Sequence, residues 1–228
     1  MMKMVVFVLL TLLYLMPLSS QAETITFYSP EIPGLITSHD NGKMVNKAAI
    51  DFIHLLATRA GIVDHYEIVP LARAYELTEH NPDTCAMGIG RSQENEAKFK
   101  WAGPIVRQKI LLYANSNDTR PIHSLEDGRG LIIGVARKSV VAGKLRDSGY
   151  VIEEADNEAI NFKKLLARHI DLWAVTAIPA MAAIKDAGLP EPRLVTTLGT
   201  VDGYIVCNRQ VSDVTMERLN NAIRSLAK

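Results

Sequence analysis

The sequence predicts an α/β protein of two lobes, each a mostly parallel sheet flanked by helices, joined by two hinge crossings. Three observations carry this reading. Short apolar segments alternate with segments of helical period up to about residue 104, which is the strand–helix order of a parallel sheet with crossover helices. The same alternation starts again after residue 115. Two β-rich runs, at 105–113 and in "VDGYIVCNRQ", are placed to carry the chain from one lobe to the other and back. Two such crossings form a hinge of stiff strands with limited freedom. Lobe 1 is therefore expected at 23–109 with 204–228, and lobe 2 at 110–203, with the hinge near 105–114 and 199–207.

Each element follows from local pattern. Residues 24–28 alternate, with Ile25 and Phe27 on one face of a strand. Residues 29–43, rich in Pro, Gly, Ser and Asn, read as a long loop after the first strand, where open α/β folds place binding groups. Ala49, Phe52, Ile53, Leu56 and Ala60 have helical spacing, and Gly61 stops a helix over 45–60. A strand is expected at 66–69, and a helix at 71–80 ends in Asn81-Pro82-Asp83. The strand at 84–89 runs into a corner at Gly88 and Gly90. A charge-dense segment at 91–100, then Trp101 and a Gly103-Pro104 break, precede the first crossing.

In the second cycle, 115–121 is a polar linker and 131–135 a strand. A helix at 139–148 is closed by Gly149, and a strand follows at 151–153. Asp156 or Asn157 caps a helix with Ile160, Leu165 and Leu166 on one face. A strand at 171–175, a helix at 178–187 closed by Gly188, a strand at 194–198, the return crossing and an amphipathic helix at 213–227 complete the chain. No repeat of fixed spacing relates the two cycles.

Residues 1–22 read as a secretory signal. Lys3 supplies the basic start, an apolar run extends from Val5 to Met16, and Ser20 and Ala22 stand at the small-residue positions before a cut. The run is shorter than the ~20 residues a bilayer requires. Removing 22 of the 228 residues leaves 206, with 24 lysines and arginines against 25 acids and a net charge near −1. With no basic run, nucleic acid is not an expected partner. The chain is expected in the periplasm. Its two cysteines, Cys85 and Cys207, there meet an oxidising compartment that allows a bridge; two buried free thiols are the alternative.

The segment "RSQENEAKFKWAGPI" resembles the R-T-P-E-R-E-x-x-F-x-W-x-G-P stretch of bacterial periplasmic solute-binding proteins of family 3, the amino-acid-binding type that serves ABC transporters. "YEIVPLARAYEL", "HSLEDGRGLIIGVARKSV", "LLARHIDLWAV" and "GYIVCNRQVSD" extend the resemblance over nearly the whole mature chain. It implies a periplasmic-binding-protein type II fold, a small-molecule ligand between the lobes, an inner-membrane ABC permease as partner, and a monomer. It also implies that the return strand lies beside the third strand, which would bring Cys207 next to Cys85. A bridge closing so long a loop would contribute roughly 3–5 kcal/mol on the chain-entropy model.

The candidate ligand-binding residues are Tyr28, Arg73, Arg91, Trp101, Lys138, Ser139 and Thr176. Arg91 follows the glycine corner, where a guanidinium can grip a carboxylate with two parallel hydrogen bonds; the alternative is a solvated loop arginine. Lys138-Ser139 precedes a helix whose free N–H groups suit an anion, or Ser139 is an ordinary cap. Tyr28 ends the first strand at the expected cleft edge. The family often carries a cleft arginine in the turn that holds Arg73, which otherwise forms a surface ion pair. Trp101 either walls the cleft or packs as core under the Gly103-Pro104 turn. The chain departs from the family at two positions. Asn95 stands where the amino-acid binders hold the α-carboxylate with arginine, and Thr176 where they hold the α-ammonium with aspartate. An amide and a hydroxyl can hydrogen-bond but supply no charge, so the expected ligand is a small polar or anionic solute rather than a standard α-amino acid. No metal spacing, nucleotide-binding glycine motif or catalytic signature occurs, and no cofactor is expected. The alternatives are a dehydratase-like periplasmic enzyme or a ligand-sensing domain on the same fold.

Overall fold

The structure, a computed structural model, describes residues 23–30 and 48–226. The signal expected over 1–22, nearly all of the loop at 29–43 and the first three residues expected in the 45–60 helix lie outside the described residues. Among the described residues, eight strands and six α-helices follow one another as β1 (Thr24–Ser29), α1 (Ala48–Ala60), β2 (Val63–Ile68), α2 (Leu71–His80), β3 (Thr84–Gly90), β4 (Lys100–Ala114), β5 (Ile133–Ala136), α3 (Val140–Asp147), β6 (Ile152–Ala155), α4 (Glu158–Leu166), β7 (Leu172–Thr176), α5 (Ala177–Ala187), β8 (Arg193–Cys207) and α6 (Asp213–Leu226). Among the described residues no helix is long and apolar enough to cross a membrane.

The strands hydrogen-bond in the order β2-β1-β3-β8-β4-β7-β5-β6. β1 lies parallel to β2 and β3, and β5 parallel to β6 and β7, while β8 and β4 run antiparallel to their neighbours. The sheet is formally continuous because β4 and β8 pair with each other from one lobe into the other. Two expectations change here. The Gly103-Pro104 pair does not break the strand. It sits inside β4, where the register with β8 shifts between Ala102 and Val106. The strand expected at 194–198 and the return crossing are one 15-residue strand, β8, which continues through Gly199 at φ 124°. That φ is strained for any residue with a Cβ.

Side chains of alternate strand residues enter opposite faces, so each lobe has three layers. In lobe 1, Ile25, Phe27, Cys85, Met87, Ile205 and Cys207 pack against Ile53 and Leu56 of α1 and Leu219 and Ile223 of α6. The opposite face sends Tyr28, Ala86, Ile89 and Val206 against Ala74 of α2 and Phe99. In lobe 2, Leu112, Ile133, Val135 and Leu172 meet Val141 and Leu145 of α3, while Trp173 and Val175 meet Phe162, Leu165 and Ala180 of α4 and α5. At roughly 1.5–3 kcal/mol per large side chain removed from water, these four clusters are the main stabilising term.

Asparagines repair the places where the ladder stops. Asn220 Oδ1 of α6 accepts from the Gly103 N–H (3.1 Å) that the bulge leaves unpaired. Asn115, just after β4, donates through Nδ2 to the Leu165 and Leu166 carbonyls at the end of α4 and accepts from the Asn117 N–H. Asn208, just after β8, does the same for the Thr78 and Glu79 carbonyls of α2 and the Gln210 N–H. Both are buried. The two lobes thus share a device that the sequence, with no aligned repeat, does not announce.

Cys85 and Cys207 face each other in the β3–β8 register and form a disulfide between residues 122 apart, both fully buried. Lobe 2 holds a carboxyl in the opposite situation. Glu158, at the start of α4, accepts from Trp173 Nε1 (2.7 Å) and Asn161 Nδ2 (3.0 Å). Burial pushes its pKa up to about 7, and the two hydrogen bonds only partly offset this. Of the two alternative caps for α4, Asn157 is the one used, accepting from the Ile160 N–H.

Two outcomes follow. Replacing both cysteines by alanine is expected to lower the unfolding free energy by about 3–5 kcal/mol in urea titrations. For Glu158 the folded state binds its proton more tightly than the unfolded chain. Its burial therefore costs nothing below pH ~4.5, and the cost grows as pH rises towards ~7. Glu158→Gln keeps an acceptor for Trp173. It is expected to be more stable than wild type by roughly 1–3 kcal/mol at pH 8 and equal to it near pH 4.5.

Candidate functional site

The lobes meet where the carboxyl ends of β3 and β5 approach each other, the place where open α/β sheets bind ligands. Gly90 ends β3 opposite Gly203 of β8. A Cβ built at Gly90 would lie 2.7 Å from Val140 Cγ1, at the start of α3, and 3.3 Å from Val201 Cγ2. The Gly90 backbone is therefore in direct contact with the other lobe. Beside it, Glu94 of lobe 1 and Lys138 of lobe 2 stand 3.9 Å apart, both more than half exposed. Lys138 makes the turn from β5 into α3 in the left-handed region, φ 61°, which is strained for a residue with a side chain.

On lobe 1, the loop after Gly90 is held by Asn95. Its Oδ1 accepts from the Ser92 N–H (2.9 Å), and its Nδ2 donates to the Gly90 carbonyl (2.9 Å) and to the Tyr75 hydroxyl (3.0 Å). Asn95 is only 6% exposed, so its amide is spent on shaping the loop. Burial pushes the Tyr75 hydroxyl up to about 12 in spite of the Asn95 bond, so the phenol stays neutral. Arg91 donates to Glu96 Oε1 (2.7 Å), and its guanidinium lies 5.0 Å from the centre of the Trp101 ring. Trp101 in turn donates from Nε1 to the Glu96 carbonyl (2.9 Å) and meets Phe99 and Tyr204 edge-on.

The expected residues fall into three groups. Arg91 and Trp101 come together, and Lys138 and Ser139 stand across from them. Ser139 is an N-cap, its Oγ accepting from the Ala142 N–H (3.1 Å). Arg73 is drawn away: it pairs with Glu76 (3.2 Å) along the exposed face of α2. Tyr28, expected at an open cleft edge, is instead buried among Ala74, Ala86, Ile89 and Phe99. The strand carries its ring to the face that α2 covers.

Thr176 precedes α5 without capping it. The cap is supplied by Gln108 of β4, whose Oε1 accepts from the Ile178 N–H (3.0 Å). Sequence reasoning passed over Gln108, although a signal existed: it is a polar residue in phase with the core positions Ile110 and Leu112. Its neighbour Arg107 forms a two-point ion pair with Asp202 on β8, Nε–Oδ1 2.6 Å and Nη2–Oδ2 2.9 Å, which holds the Asp202 carboxyl below the usual range.

A polar depression of about 320 Å³ is lined by Asn117, Asp118, Arg120, Arg168 and Asp171 among others. Arg120 is there shared between Asp118 (2.7 Å) and Asp171 (2.8 Å), and Arg168 donates to the Asn117 carbonyl. Among the described residues no group of three or more His, Cys, Asp or Glu could hold a metal ion.

In sequence, no family model and no curated protein matches the chain. In structure it is similar to a histidine kinase sensor domain with similarity to periplasmic binding proteins (TM-score 0.81, 17% identity, 90% of this chain and 91% of that one). It is similar to the GluR0 ligand-binding core from Nostoc punctiforme in complex with L-glutamate (TM-score 0.75, 18% identity, 89% and 92%). It is also similar to an ancestral arginine-binding protein bound to arginine (TM-score 0.74, 19% identity, 90% and 92%). TM-scores of 0.74 to 0.81 over nine-tenths of the chain show the shared fold. The chain has the two-lobed fold of periplasmic binding proteins.

Proposed function

We propose that the chain is an exported solute-binding protein that closes two lobes, 23–109 with 204–228 and 110–203, on a small polar or anionic solute. In this reading residues 1–22 are a cleaved signal, the mature protein is a periplasmic monomer, and an inner-membrane ABC permease reads its closed state. The similarity of fold to ligand-binding proteins over nine-tenths of the chain is the observation that carries it. Solute contacts on both lobes favour the closed arrangement by their differential affinity for it. The similarity to a sensor domain supports signalling as the second reading, with the same solute-closed state read by a different partner.

The charges at the meeting of the lobes narrow the solute. Arg91 is paired with Glu96, and Lys138 faces Glu94. An anionic solute competes with these carboxylates for exposed cations, an exchange of weak surface pairs. Asn95 and Thr176 offer no charge of their own for the two ends of an α-amino acid.

A thermal-shift screen of amino acids, polyamines, dicarboxylates and sugars is expected to single out one class, since a solute at 100 times its Kd adds about 2.7 kcal/mol. Arg91→Ala is expected to abolish that shift; an unchanged response refutes Arg91 as the anchor. Closure has its own test. In a Glu94→Cys/Lys138→Cys background, Gly90→Ala is expected to slow capture by a short bis-maleimide several-fold, because the added methyl meets Val140. Adding Val140→Ala should restore the rate. A capture rate indifferent to Gly90→Ala, or one not restored by Val140→Ala, contradicts the contact.

A further inference from the structure

We propose that Gln108, on the hinge strand at the start of α5, is the polar group through which the protein recognises the solute beside lobe 2, and that it selects an oxygen acceptor over an ammonium group. The proposal rests on the solute-binding reading above and adds the residue and the chemistry it reads.

Position comes first. Gln108 pairs across the β4–β8 ladder with Val201, whose Cγ2 would lie 3.3 Å from a Cβ at Gly90 of the other lobe. It stands two residues before Ile110, the ladder partner of Thr176. Gln108 thus lies where both lobes and both crossing strands converge, and it is only partly buried.

Orientation comes second. The Ile178 N–H at the start of α5 can be met only by an acceptor, so it fixes which end of the carboxamide is oxygen. The positive end of α5 favours the same orientation. The amide NH2 has no partner among the described residues, and it presents two donors from a side chain already immobilised by its own cap bond. Thr176, whose hydroxyl makes no cap bond, is the ladder partner of Ile110, two residues beyond Gln108. Neither group carries a charge. An NH2 donor rewards a carbonyl, carboxylate or hydroxyl oxygen and offers nothing to an ammonium, which is itself only a donor.

The test exploits the double role of the carboxamide. Gln108→Glu keeps an oxygen for the Ile178 N–H and removes both donors, whereas Gln108→Leu removes cap and donors together. The panel is succinate, pyruvate, D-galactose and putrescine, read by thermal shift and calorimetry. Wild type is expected to respond to an oxygen-acceptor compound and not to putrescine. Gln108→Glu should keep the wild-type melting temperature without solute and raise the Kd of the strongest wild-type compound 10-fold or more, while Gln108→Leu melts earlier. A responding wild type whose Kd is unchanged in Gln108→Glu, or a wild type that prefers putrescine, overturns the role of Gln108 alone. A panel that shifts neither wild type nor variant overturns this proposal and the solute-binding reading together.

Discussion

The pairing of β4 with β8, from Lys100–Cys207 at one end to Ala114–Arg193 at the other, is the constraint on which the rest of the molecule depends. Each strand has 15 residues, about 50 Å if straight, against the five or six of an ordinary strand. One half of each strand is core in lobe 1, where Cys207 binds Cys85 and Ala102 packs with Ile205. The other half is core in lobe 2, where Ile110 and Leu112 pack under α3. Because both lobes are built on the same two strands, they cannot slide past one another. The ladder between the two strands is interrupted at register shifts between Ala102 and Val106, between Ile110 (paired with Gly199) and Leu111, and between Leu112 and Tyr113. The Arg107–Asp202 pair and Asn220 pin the ladder around the first of these points.

The cleft inherits its character from this arrangement. Its lobe 1 side is a loop whose shape is fixed by Asn95 and whose cation, Arg91, lies between Glu96 and the face of Trp101. Its lobe 2 side is the start of two helices, one capped from within by Ser139 and one capped from the hinge by Gln108. The cap bond from Gln108 ties the start of α5 to the crossing strand β4.

Most of the fold was legible because its signals are local. Alternation in residues 24–28, the apolar run that ends the strand at 84–89, helical spacing in 45–60 and 213–227, and glycine stops at Gly61, Gly149 and Gly188 each concern a short local window. The Cys85–Cys207 bond followed only from the resemblance, since nothing near either cysteine indicates its partner. What was misread depends on tertiary context. Gly103-Pro104 looks like a strand end, and it is a bulge only because Asn220, far along the chain, satisfies the exposed N–H. Tyr28 looks like a rim aromatic until α2 is placed over it. Gln108 carried the right clue, a polar residue on an apolar face, but its partner at Ile178 is 70 residues away and invisible to any local window.

The central claim is that two separately packed lobes, joined by β4 and β8, change their separation about those strands. Single-molecule energy transfer between dyes at positions 55 and 181 measures this most directly, since Leu55 on α1 and Met181 on α5 are exposed on different lobes. The account predicts two resolved distances, with the shorter one gaining population when a binding solute is added. A single distance that no solute moves would contradict it.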